Sequence, residues 1–142
     1  TLADGALVKV RAITVSQFKM TYSVSGTFTA TGTGFTANPT ATAVFKVENG
    51  WASLYIPRNS LTGTSNANSF TITGLPSCLV STLEMQFGKI EVMDNGAYTA
   101  AGTATMVGTT GTISLHSTTY GSGWTTSGTK KLVTSELYWK IN

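Results

Sequence analysis

A chain of 142 residues has the length of one domain and can bury a sizeable core. Nine Lys and Arg against six Asp and Glu leave a net charge of +3, and only Lys130 and Lys131 are adjacent; a nucleic-acid binder would gather its cations into a patch, because phosphate neutralisation drives its affinity. Charged residues make up 11% of the chain, against about 25% in an ordinary soluble domain, so 27 Thr and 14 Ser supply most of the polarity.

Thr suits strands, because its branched Cβ is stiff and packs well on a pleated surface. A hydroxyl-rich, charge-poor composition is associated with extracellular adhesins and virion surfaces. A single cysteine, Cys78, excludes an internal disulfide, a Cys-based zinc knuckle and a CxxC redox pair; it reads as a small buried hydrophobe. No run of 18 apolar residues is present, and membrane insertion is not expected. The chain begins at Thr1, which reads as a processed protein or a piece of a larger one extending upstream.

Taken in chain order, residues 1–25 read as an N-terminal strand or a stalk-proximal segment, and 26–142 as the head domain. Phe18, Met20, Tyr22 and Val24 alternate with polar residues at a strand's period of two. Residues 26–36 read as a strand passing into a loop closed at Asn38-Pro39. Asn49-Gly50 lies between two alternating runs and predicts a hairpin with a type I′ turn, since both central residues need positive φ. A two-residue loop sets Glu48 opposite Trp51, Lys46 opposite Ser53, Phe45 opposite Leu54 and Val44 opposite Tyr55. Ala43, Phe45, Val47, Ala52, Leu54 and Ile56 then form one apolar face, the core side. Val44, Lys46, Glu48, Trp51, Ser53 and Tyr55 form a second face of mixed character, suited to burial against a neighbouring subunit.

A strand is expected at 69–73, a corner at Gly74-Leu75-Pro76, and further strands within 78–93. Leu83, Phe87 and Ile90 have helix-like spacing, but their β-branched, Thr-rich surroundings favour strand. Asp94-Asn95-Gly96 predicts a turn. A run from Tyr98 to Met106, a turn at 108–111, a short strand around Ile113 and Leu115, a loop at 120–124 and a last strand over 132–141 follow. Seven or more short strands with a turn about every ten residues predict an all-β, antiparallel β-sandwich, jelly-roll-like in outline.

The residues that could carry chemistry are sparse. The acidic residues are Asp4, Glu48, Glu84, Glu91, Asp94 and Glu136. Glu91 and Asp94 are the nearest plausible pair for acid–base work, although Asp94 has a turn-capping role of its own. His116 is the single histidine; no Gly-x-Ser-x-Gly elbow accompanies it, and one histidine does not build the usual zinc site. Gly32-Thr33-Gly34 and 108–111 lack the spacing, lysine and helix of a phosphate loop. The expectation is a protein that is not an enzyme and has no cofactor or metal. Aromatic residues remain. Tyr120 and Trp124 flank glycines in a loop and could stack on a sugar, or Trp124 could fold back over the end of the core.

Several stretches resemble the C-terminal β domains of bacteriophage tail fibres and related virion spikes. These are the Thr- and Gly-rich run at 26–43, Trp51–Pro57, the segment Leu61-Thr62-Gly63-Thr64-Ser65-Asn66, and Phe70-Thr71-Ile72-Thr73-Gly74-Leu75-Pro76. Shorter pieces at 93–96, 111–115 and 124–130 extend the likeness over about 26–142. It departs after Pro76, where Ser77-Cys78-Leu79-Val80 stands in place of a basic or Pro-containing segment, and at the aromatic ending Tyr138-Trp139. The resemblance implies a homotrimeric, distal virion module that touches a host-cell glycan or protein and joins other virion proteins upstream. It carries over no contact residue. From the residues themselves, Tyr120 and Trp124 are the candidate receptor contacts, and Lys46, Glu48, Trp51 and Tyr55 the candidate subunit interface. The alternatives are a carbohydrate-binding or adhesin module of a secreted bacterial protein, and a virion decoration protein without receptor affinity.

Overall fold

The structure, a computed structural model, describes residues 22–118 and 123–141. Ten strands account for most of them: β1 (Ser23–Thr33), β2 (Thr40–Glu48), β3 (Trp51–Tyr55), β4 (Thr62–Thr64), β5 (Phe70–Thr73), β6 (Met85–Asp94), β7 (Ala97–Val107), β8 (Thr112–His116), β9 (Thr129–Leu132) and β10 (Glu136–Lys140). Every pairing is antiparallel, and the strands follow one another as β10-β3-β2-β1-β5-β8-β7-β6-β9-β4. The chain is all-β, as its periodicity predicts. Where that spacing suggested two packed sheets, the hydrogen bonding is continuous, and one sheet curls into a half-barrel around its own core. Most of the 1–25 segment lies outside the described residues, and β1 runs through its expected boundary.

The Asn49-Gly50 hairpin has the predicted register, with Val44 opposite Tyr55, Phe45 opposite Leu54, Lys46 opposite Ser53, Val47 opposite Ala52 and Glu48 opposite Trp51. Asn49 and Gly50 take φ of 52° and 80°, as a type I′ turn demands. Strict alternation along β2 puts Ala41, Ala43, Phe45 and Val47 inside. Glycines on β1 make room for rings next door. Gly26 pairs with Phe45, and a Cβ there would stand 3.1 Å from the Phe45 ring, close enough that the ring would have to give way by a few tenths of an ångström in a tightly packed core.

Two strands escape the sequence pattern. β4 is three residues long and pairs with β9, and the expected strand over 132–141 is divided, its chain turning away at 133–135 before β10. The 78–93 region resolves into a 3₁₀ turn at Ser77–Leu79 and β6 from Met85, so strand wins over helix at Ile90. Register shifts around Gly88 and Glu91 bend β6 against β7. The Trp139 indole donates to the Leu79 carbonyl at 3.0 Å, tying β10 to the β5–β6 connection.

One end of the core is held by a charge. Lys130 has no exposed surface. Its Nζ donates to the carbonyls of Gly34 (3.1 Å), Ala67 (2.8 Å) and Ser69 (2.8 Å), three acceptors for three N–H groups. The rings of Phe35 and Trp124 lie 5.4 and 5.5 Å from the nitrogen and add cation–π attraction. Burial lowers the Lys130 pKa below its ordinary value, and the charge of Asp94 offsets part of that. Phe35, Phe70 and Trp124 form an edge-to-face series, with centroids 4.8 and 5.3 Å apart.

Candidate functional site

The outer face of β1, β2, β3 and β10 carries three exposed aromatic residues, Trp51, Tyr55 and Tyr138. Pairing aligns them in cross-strand rows. The first row runs Ser23, Glu48, Trp51, Lys140; the second Ser25, Lys46, Ser53, Tyr138; the third Thr27, Val44, Tyr55, Glu136. Their inner neighbours Val47, Ala52, Leu54, Leu137 and Trp139 are buried, and the two-residue period turns the residues of these rows outward. Trp51 is 58% exposed, Tyr55 44% and Tyr138 58%. Aromatic side chains left this open on a rigid sheet are available for contact.

Polar groups are interleaved with the rings. Lys46 and Glu48 form an ion pair at 2.7 Å. Tyr138 donates its hydroxyl to Glu136 at 3.1 Å; that hydrogen bond, with the negative charge of Glu136, holds the phenol above its ordinary pKa. Two shallow hollows lie on this face. One, of about 320 Å³, is lined by Lys46, Glu48, Asn49, Trp51, Ala52, Ser53 and Tyr138. The other, of about 280 Å³, reaches from Ser25 and Val44 past Ser53 to Tyr55, Glu136 and Tyr138. Lys46, Glu48, Trp51 and Tyr55 thus share one surface, as the hairpin pattern predicts. Tyr138 completes it. Alternation with Leu137 and Trp139 marks Tyr138 as outward, but the pairing of β10 with β3 is long-range and leaves no local trace.

The loop candidates fare differently. Tyr120 lies outside the described residues. Trp124 is only 5% exposed, donates its indole N–H to the Leu115 carbonyl at 2.7 Å and packs on Phe70. The expectation that its ring offers a stacking face to a sugar is therefore corrected: the ring folds back into the core, where hydrogen-bonded burial outweighs exposure of a large apolar surface.

The remaining polar candidates have structural partners. Asp94 accepts from the backbone N–H of Thr125 at 3.2 Å and from its hydroxyl at 2.6 Å. Glu91 faces Arg58 at 3.8 Å, beside a hollow of about 400 Å³ that Tyr98, Thr99, Ala100 and Val133 also line. His116 Nε2 and the Thr105 hydroxyl are 3.3 Å apart across β7 and β8. Cys78 is half-buried against the core. Among the described residues no three His, Cys, Asp or Glu side chains are grouped to hold a metal ion. No protein-family model and no curated protein matches the chain.

Proposed function

We propose that this chain is a non-enzymatic attachment domain of a virion surface protein, a tail fibre or spike, and that it contacts a host-cell surface through the outer face of β3 and β10. The observation that carries the reading is the alignment of Trp51, Tyr55 and Tyr138, all exposed, on a rigid sheet rich in hydroxyls. Large rigid rings supply contact area at little conformational cost, and hydroxyls keep the face soluble when it is empty. The resemblance of 26–142 to fibre and spike heads supports the extracellular, particle-bound setting. Binding of the labelled domain to whole host cells tests it. Trp51→Ala and Tyr138→Ala should each abolish most of the binding with melting temperature unchanged, and unaltered binding would remove the face from the function.

A second reading gives the same face to a neighbouring copy in a homotrimeric, jelly-roll-like head. Its support is the apolar area that Val44, Trp51, Tyr55 and Tyr138 expose together. Light scattering coupled to size exclusion separates the two. A mass near 14.9 kDa leaves the face free for a ligand, and three times that mass, reduced by Trp51→Ala, makes it a subunit interface.

A further inference from the structure

The two hollows on the outer face are neighbours. They share the row Lys46, Ser53 and Tyr138, and each extends toward its own ring on β3, one toward Trp51 and the other toward Tyr55. Four residues along a strand separate those rings by about 13 Å, so they stand at the two outer ends of the shared floor. Ser53, the smallest side chain in the row, keeps the shared floor low. We propose that the hollows are adjoining subsites for two consecutive pyranose residues of a neutral glycan, its chain lying along β3. This deepens the attachment reading and rests on it.

The chemistry of each hollow fits a sugar. A pyranose has an apolar C–H face and a rim of hydroxyls. Trp51 and Tyr55 offer π surfaces for the first. Around them stand an acceptor-only carboxylate (Glu48), a donor-only ammonium (Lys46), an amide (Asn49) and hydroxyls (Ser25, Ser53), which between them bond groups that both donate and accept. Before any ligand arrives, the Lys46–Glu48 contact at 2.7 Å and the Tyr138–Glu136 hydrogen bond at 3.1 Å hold these groups in place, which lowers the ordering cost of binding.

Charge selects among glycans. Lys46 and Lys140 balance Glu48 and Glu136 on this face, so a polyanion gains no net attraction. A protein surface closing here would strip water from the Lys46–Glu48 pair, whereas a sugar can bond both charges and leave their outer sides wet. At about 320 and 280 Å³ the hollows lie at the lower end of the range of ligand pockets, and suit one ring each.

The test is titration of the intact chain, by tryptophan fluorescence and calorimetry, with neutral gluco-, manno- and galacto-oligosaccharides of increasing length and with oligouronates as the charged arm. Affinity for at least one neutral series should rise about tenfold from one residue to two, a gain of the size one ring contact supplies, and then level off. Trp51→Ala and Tyr55→Ala should each return the disaccharide to monosaccharide affinity. Ser53→Leu, which fills the shared floor and keeps both rings, should abolish binding with melting unchanged. Silence from every neutral series, preference for oligouronates, no length dependence, or indifference to Trp51→Ala each overturns the inference. If Trp51→Ala abolishes adhesion to host cells while no neutral series binds, the attachment reading stands and only the glycan subsites fall.

Discussion

Lys130→Met removes the buried ammonium and keeps most of the aliphatic stem. The carbonyls of Gly34, Ala67 and Ser69 then lose their shared donor in a region closed to water. Hydrogen bonds to a charged group contribute about 1.5–3 kcal/mol each, so the three amount to roughly 5–9 kcal/mol gross. The substitution also removes the cost of desolvating the ammonium, several kcal/mol after relaxation. The expected net loss is about 3–5 kcal/mol, a large part of the ~5–15 kcal/mol by which domains are stable. It corresponds to a fall in Tm of about 10–15 °C. Urea unfolding followed by tryptophan fluorescence measures it directly, since Trp124 lies beside the substituted group. A loss below about 1 kcal/mol would refute the reasoning, because it would mean that the three carbonyls find other partners at no cost.

Three further outcomes follow from the same core. The lowered pKa of Lys130 means that the unfolded chain holds this proton more tightly than the folded one; its contribution to stability therefore rises as pH climbs from the folded pKa toward 10.5, and the wild-type chain should gain on Lys130→Met over that window in paired unfolding curves. Thr103→Val should raise stability by about 1 kcal/mol in urea titrations, because the Thr103 hydroxyl is buried without a hydrogen-bond partner. Trp124→Ala should cost about 3–5 kcal/mol in urea titrations by emptying a core site, and, if the proposed attachment through the outer face holds, the folded fraction should bind cells as the wild type does, since this ring lies inside.

The parts of this structure that local sequence governs were legible in advance. Asn49-Gly50 determines the hairpin through its positive φ, and the two-residue period then sorts Phe45 from Lys46 and Leu54 from Ser53 without reference to anything distant. Long-range pairing was not legible. Nothing near Glu136–Lys140 announces that this segment lies against β3, so Tyr138 could be read as outward but not as a neighbour of Trp51. The same holds for β4 and β9, which are too short to alternate convincingly and form because β9 finds β4 on one side and β6 on the other. Trp124 shows the opposite hazard. Its glycine-rich surroundings suggest a free loop, yet a ring that can donate to Leu115 and pack on Phe70 gains more by turning inward. Lys130 offered no sign at all, since a buried lysine depends on carbonyls brought from positions 34, 67 and 69.

The pairing of β10 with β3 also has a consequence for the order of assembly. A ribosome releases the chain from its N-terminal end, so β1, β2 and β3 emerge long before residues 136–140. Until then β3 is an open margin, its five residues offering unpaired backbone groups and the apolar side chains of Ala52 and Leu54 to any passing strand. The nascent domain is at its most aggregation-prone in that interval, and the arrival of Leu137 and Trp139 ends it. The aromatic face is completed by the same event, because Tyr138 travels on the strand that closes the margin.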